Sequence, residues 1–205
     1  MMYIEIGHRS IPVIWIAILL ACFLTALIYR IVRKTSIHSW YWNGFLIYLI
    51  TWKLSYILFN FKIFLKSPLS LLFFGGGSLG HILAIAILCV YLIIVSKKGT
   101  STFSTSAPLE ILLFFLLYET CIQYFINGIL AFLIQLFLLA GIIVYYAMSV
   151  NRNKQIPFQV YVVIILLEFC LLSIFQPLLS IETITFTWIF IFISILAKKE
   201  EVTNP

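Results

Sequence analysis

The sequence predicts an all-α, polytopic membrane protein of about seven transmembrane helices, with the N-terminus outside and the C-terminus cytoplasmic. Three observations predict it. Of the 205 residues, 63% are hydrophobic and only 10% are charged, where a soluble domain carries roughly a quarter. Apolar runs of about 20 residues, the length that crosses the hydrocarbon layer, recur along the chain. The basic residues fall between those runs, predominantly on one side. Disorder is excluded, because Phe, Trp and Tyr make up 17% of the chain. The formal charge of +6, from thirteen basic residues and seven acidic ones, is accounted for by cytoplasmic loops that collect Lys and Arg. No nucleic-acid partner is expected.

Cutting the chain at charges, prolines and small polar residues gives spans at about 11–29, 40–60, 79–96, 108–126, 128–148, 158–176 and 184–197. Residues 1–205 are then a single transmembrane domain with no separate soluble domain. Arg30, Arg33 and Lys34 follow span one, Lys97 and Lys98 span three, Arg152 and Lys154 span five, and Lys198 and Lys199 span seven. Only Arg9, Lys62 and Lys66 lie opposite, which fixes the orientation by the positive-inside rule. Trp40, Tyr41 and Trp42 open span two as an interfacial aromatic belt. Thr100 to Ser106 reads as a short cytoplasmic loop, with Pro108 in the first turn of span four. Asn127-Gly128 reads as a tight outer turn that makes spans four and five antiparallel neighbours, since both residues tolerate positive φ. Cys22, Cys89, Cys121 and Cys170 sit in separate apolar runs and form no CxxC pair. Leu19-Leu20-Ala21-Cys22 has the form of a lipoprotein processing box, but the apolar run from Phe23 to Tyr29 favours a first membrane helix.

Ionisable residues inside spans are costly and mark candidate sites. Lys53 in span two and Glu119 in span four each lie about three residues outward of their span's middle, about 4–5 Å above the midplane. An ion pair is geometrically possible, as a helix clamp or as part of a site. Glu119, Gln123 and Asn127 recur at intervals of four, a polar stripe on the outer half of span four. It lines an outer-leaflet cavity or hydrogen-bonds to neighbouring helices. Glu168, near the middle of span six, has no assigned cation, and burial there favours its protonated form. Gly75-Gly76-Gly77 and His81 open span three. Backbone N–H groups freed from side chains suit an anion such as a lipid phosphate, while a flexible turn with close helix packing at Gly80 serves equally well. His81 is the best placed of three histidines to act as a base, with His8 and His38 in flanking loops.

These residues resemble the prolipoprotein diacylglyceryl transferase family of bacterial membranes, as a divergent member. Ile4-Glu5-Ile6-Gly7 with Ser10-Ile11-Pro12 resembles that family's N-terminus. Lys53-Leu54-Ser55-Tyr56-Ile57-Leu58-Phe59-Asn60 is similar to its second-span motif, with Lys53 where an Arg is usual. Lys66-Ser67-Pro68-Leu69, the glycines, and Phe125-Ile126-Asn127-Gly128 follow in the family's order. The resemblance implies transfer of a diacylglyceryl group from phosphatidylglycerol to the lipobox cysteine of a preprolipoprotein, at the outer face of a bacterial plasma membrane. It implies Lys53, His81 and Glu119 as catalytic candidates. Tyr56, Gly75, Gly76, Gly77, Gln123, Asn127, Gly128 and Glu168 become the candidates for substrate binding. Neither a metal nor another cofactor is expected. The partners implied are the phospholipid, the preprolipoprotein and the membrane itself.

The pattern also departs from the family. Gly75-Gly76-Gly77 stands where the family has His-Gly-Gly, Cys121 where its signature has Arg, and Ile129 where it has Glu. Glu168 and Phe169 replace a late Arg-rich stretch. Two further readings therefore stand beside the transferase. One is a non-catalytic relative that binds a lipid, lipoprotein or membrane partner through the same cavity. The other is a small transporter or immunity protein, against which the polar stripe counts because it is confined to the outer half.

Overall fold

The chain folds as a series of apolar helices preceded by a short hairpin. The computed structural model describes residues 3–6, 9–98, 101–152, 156–177 and 180–203, with side chains given from residue 12 onward except at 72, 73, 101, 102, 104, 105 and 198–203. Gly7, His8, Thr100 and Lys154 lie outside the described residues. Strands β1 (Tyr3–Ile6) and β2 (Arg9–Pro12) pair antiparallel, with Tyr3 opposite Pro12 and Ile6 opposite Arg9. This hairpin corrects the purely helical expectation. The Tyr-Ile-Glu-Ile segment has the β-branched and aromatic content that suits a strand.

Helices α1 (Val13–Arg33), α2 (Ser39–Phe59), α3 (Phe61–Lys66), α4 (Ser70–Phe73), α5 (Gly77–Lys97), α6 (Ser101–Ile122), α7 (Ile129–Asn151), α8 (Phe158–Phe175) and α9 (Ile181–Thr203) follow. A π-helical turn, Gln123–Asn127, continues α6. Among the described residues, five helical segments are long and apolar enough to cross a membrane: Val13–Arg33, Gly77–Lys97, Ser106–Asn127, Ile129–Asn151 and Phe158–Phe175. Ile181–Ala197 is a shorter apolar helix. The protein is thus a multi-pass, α-helical membrane protein. Of the seven expected segments, α2 is a full-length helix, but its opening Ser-Trp-Tyr-Trp-Asn-Gly and its lysine dilute its apolar character.

The segment from Ser101 to Ser106, expected as a loop, is already helical, so Pro108 lies inside α6 and not in its first turn. Phe103, Ser106 and Ala107 are all fully buried, and that packing extends the helix backward. Proline inside a membrane helix is tolerated because neighbouring helices and Ser or Thr side chains take up the freed backbone groups. The turn between α6 and α7 is as tight as expected. Gly128, at φ 87°, is the one residue between the π turn and α7, and that backbone favours glycine.

Two compact units divide the chain. The first comprises Met1–Ile37 and Thr105–Phe190, and the second His38–Ser104 and Ile191–Pro205. In the first, α6 is the central helix: 67% of its apolar window is buried, against 28% or less for the other four membrane-length segments. Leu109, Leu112, Leu113 and Leu116 pack with Ala17 and Ala21 of α1, Leu139 and Ile142 of α7, and Ile164 of α8. The two alanines, four residues apart, let helix backbones approach closely.

In the second unit, α2 and α5 form an antiparallel pair. A Cβ placed on Gly44 would meet Leu88 and Tyr91, one on Gly75 would collide with the Trp52 ring, and one on Gly80 would collide with Ser55. A Cβ on Gly76 would run into the Ser55 hydroxyl and lie 2.8 and 2.9 Å from the backbone of Gly80 and Trp52. The Gly76 N–H donates to the Trp52 carbonyl at 3.0 Å. Gly77 serves differently, since its φ of 63° is left-handed while the space around it is open.

A graded response to alanine follows. Gly76→Ala is expected to destabilise the protein by about 1–3 kcal/mol through overpacking, and Gly77→Ala by about 1–2 kcal/mol through backbone strain. Gly141→Ala, a helical site with nothing near its Cβ, is expected to be neutral or stabilising by about 0.5–1 kcal/mol. Unfolding of the purified variants in mixed detergent micelles measures the order, and an equal effect at Gly76 and Gly141 would contradict the close approach.

Candidate functional site

The residues singled out from sequence fall into both units. Lys53, Tyr56, Gly75, Gly76, Gly77 and His81 belong to the second, and Glu119, Gln123, Asn127, Gly128 and Glu168 to the first.

In the second unit the candidate groups are engaged with their own helix pair. The Tyr48 hydroxyl of α2 and His81 Nδ1 of α5 are hydrogen-bonded at 2.6 Å, with the rings edge to face at 5.8 Å. Ser55 donates to the Trp52 carbonyl at 2.7 Å, the same oxygen that accepts from Gly76. Of the two roles weighed for the glycine-rich turn, close packing accounts for Gly75, Gly76 and Gly80. Tyr56 is buried and stacks on Phe74 with centroids 6.1 Å apart. Lys53 is half-buried on α2, its Nζ 5.9 Å from the centre of the Trp52 ring, where an aromatic face offsets part of the desolvation of the charge.

In the first unit the polar stripe is buried. Glu119 is 1% exposed and Gln123 0%. Asn127 donates to Gln123 Oε1 at 2.7 Å within the π turn, and Gln176, just past α8, donates to Glu119 Oε2 at 3.0 Å. Glu168 of α8 accepts from Gln135 of α7 at 2.6 Å, and both side chains are fully buried. Glu119 and Glu168 lie within electrostatic reach of each other. Glu119 therefore bonds across to the segment after α8, while Gln123 and Asn127 bond to each other within their own turn. A π turn at such a place opens the α-helical ladder locally and is often found at functional positions.

Sequence reasoning missed Gln135, Gln176 and Glu110. Gln135 is an isolated amide inside an apolar run, the same signal that marked Glu168. Glu110, fully buried near the middle of α6, belongs to a second polar cluster. It lies within electrostatic reach of Tyr29 and Tyr146. The Arg33 Nε donates to the Tyr146 hydroxyl at 3.1 Å, and the Tyr29 side chain bonds with Ser106 and Thr35. Nine residues separate Glu110 from Glu119, about 13 Å along the helix axis. The polar groups are thus not confined to one half of this unit, a correction to the sequence reading. Between the clusters lies an apolar layer, including a small cavity lined by Ile111, Leu112, Phe115, Phe169, Phe186 and Phe190.

Among the described residues no three His, Cys, Asp or Glu side chains gather as a metal site. Among the described residues the polar groups singled out are a half-buried ammonium in the second unit and, in the first, two carboxyl–amide pairs and the cluster of Glu110, Tyr29, Arg33 and Tyr146.

Because each partner of a buried hydrogen bond is costly to orphan, Gln135→Leu and Glu168→Leu are each expected to destabilise by about 1–3 kcal/mol. The double variant should lose less than the sum, with a coupling of about 0.6–1.7 kcal/mol. A double-mutant cycle from unfolding in micelles measures it, and strict additivity would mean that the pair is not formed.

Compared with protein-family models, with curated proteins and with solved structures, the chain matches none.

Proposed function

We propose that the chain is a non-catalytic, divergent relative of the prolipoprotein diacylglyceryl transferases that holds an anionic phospholipid in the outer leaflet of a bacterial plasma membrane. In this reading it crosses the membrane seven times, with α2 and α9 as the additional spans. At 21 residues α2 is about 31 Å long, enough for the hydrocarbon layer. The loop lysines and arginines support an outer N-terminus and a cytoplasmic C-terminus. The observation that carries the non-catalytic part is the packing of the glycine turn, whose Gly76 N–H is donated to the Trp52 carbonyl and whose Gly75 lies against the Trp52 ring. A departing phosphate needs donors aimed at it. Lys53 gives α2 of this unit a half-buried cation whose charge suits a phosphodiester headgroup.

The second reading is the transferase itself, acting on phosphatidylglycerol and a preprolipoprotein. Lys53 is the observation in its favour, since a half-buried cation beside the headgroup would stabilise a departing glycerol phosphate.

Complementation of a bacterium depleted of its own diacylglyceryl transferase separates the two. Binding without turnover predicts unmodified lipoprotein precursor by mass spectrometry while the protein is inserted and folded. Appearance of diacylglyceryl-modified lipoprotein would overturn the non-catalytic reading, and its loss in Lys53→Ala would then assign the chemistry. Purified protein is expected to carry phosphatidylglycerol above its bulk proportion, with a several-fold loss in Lys53→Ala. Lipid content at the bulk proportion in both proteins would refute headgroup binding.

A further inference from the structure

The pair formed by Gln135 and Glu168 offers more than a clamp between α7 and α8. Each side chain uses one atom in their mutual bond, Gln135 Nε2 donating to Glu168 Oε1 at 2.6 Å. The other atom of each group, Gln135 Oε1 and Glu168 Oε2, is buried without a hydrogen-bond partner among the described residues. Two oxygen acceptors are thus left on neighbouring groups that are both 0% exposed. Acceptors left bare in a membrane interior cost free energy until something positive reaches them.

The surrounding helices do not supply that positive group. Helices α6, α7 and α8 contain neither Lys nor Arg, and Arg33 of α1 is engaged with Tyr146 of α7, eleven residues from Gln135. The titratable group facing Glu168 is Glu119 of α6, itself held by Gln176, and beyond it Glu182 at the start of α9 acts on Glu119. All three are acidic. From α7 the facing group is the neutral Gln135. An ionised Glu168 would therefore be a buried anion among other acids, a state that persists only with a bound cation. The arrangement calls for a small positive ligand that both oxygens can accept.

We propose that Gln135 and Glu168 form a binding site for a small monovalent cation, occupied by an exchangeable proton on Glu168 or by a sodium ion held between Glu168 Oε2 and Gln135 Oε1. A proton converts the carboxylate to a neutral acid with an O–H to donate. A sodium ion neutralises the carboxylate and takes the amide oxygen as a second hard ligand, the donor chemistry such ions prefer. Either way one positive charge enters the interior of the unit. The site is independent of lipid binding through Lys53, so failure of one assignment leaves the other standing.

The test uses the full chain, purified and reconstituted in liposomes, and treated with dicyclohexylcarbodiimide. This apolar reagent adds to a protonated carboxyl buried in hydrocarbon, and the adduct is mapped by mass spectrometry. The expected result is an adduct on Glu168 whose rate of formation falls as the pH is raised, approaching about tenfold per pH unit once the acid is ionised. Sodium chloride that slows the labelling when potassium chloride does not identifies sodium as a competing occupant. Equal rates in the two salts identify the proton alone. Glu168→Gln should lose the adduct, and Gln135→Leu should lose any sodium protection while Glu168 remains reactive. Absence of a Glu168 adduct at low pH in folded protein, or labelling indifferent to both pH and sodium, would overturn the proposal.

Discussion

A polar side chain surrounded by hydrocarbon has no water to bond with, and the arrangement of the first unit follows from that constraint. Glu110 and Glu119 on α6 and Gln123 at the start of the π turn that continues it are at most 1% exposed. A helix carrying three such groups cannot face lipid, so α6 takes the centre and the more uniformly apolar α1, α7 and α8 surround it. Apolar packing alone would not choose among these helices, because lipid tails are as apolar as leucine. The directional bonds choose. Gln135 to Glu168 sets α7 against α8, and Gln176 to Glu119 ties the end of α8 back to α6.

The second unit meets the same constraint with small residues. Gly44, Gly76 and Gly80 remove the side chains that would keep α2 and α5 apart, and the backbone of one helix then bonds directly to the other through Gly76 and Trp52. Tyr48 and His81 add a side-chain bond on the same contact. The glycines, suggestive of chemistry at this place in the sequence, are thus consumed by helix association, and His81 gives one ring nitrogen to it. Lys53 stands apart from this scheme, since neither glycine packing nor the Tyr48 bond calls for a cation.

Much of the architecture was legible because a membrane span is a matter of length and composition. Helix edges moved by a few residues at most places and by seven at the start of α6, and Asn127-Gly128 marked its turn through the positive φ that glycine supplies. The Ser and Thr run before Pro108 misled, because turn-forming residues in water are helix-compatible where neighbouring helices satisfy the backbone. The polar pairs were only half legible. Sequence spacing identifies Glu119, Gln123 and Asn127 as one stripe, since partners four apart share a helix face. It carries no information about partners on other helices, and Gln135 lies 33 residues from Glu168 and Gln176 57 from Glu119. Glu110 escaped notice because a glutamate one turn into a span resembles an interfacial residue until Phe103 and Ala107 are seen to be buried ahead of it.

The close approach of α2 and α5 also limits what the glycine turn can do for a ligand. Offering the Gly76 N–H to a phosphate would require breaking its bond to the Trp52 carbonyl and lifting Gly75 away from the Trp52 ring. That carbonyl would keep the Ser55 hydroxyl as a donor, yet the loss of a buried backbone bond still costs about 1 kcal/mol before any ligand contact forms. Separating the helices at Gly76 and Gly80 would add the loss of their packing. A headgroup that approaches Lys53 incurs neither penalty, because the ammonium is half-buried at the surface of α2 and tethered by a flexible chain that can reach toward an anion. For the phospholipid binding proposed above, the energetics of helix association thus favour a side chain over the backbone of the glycine turn.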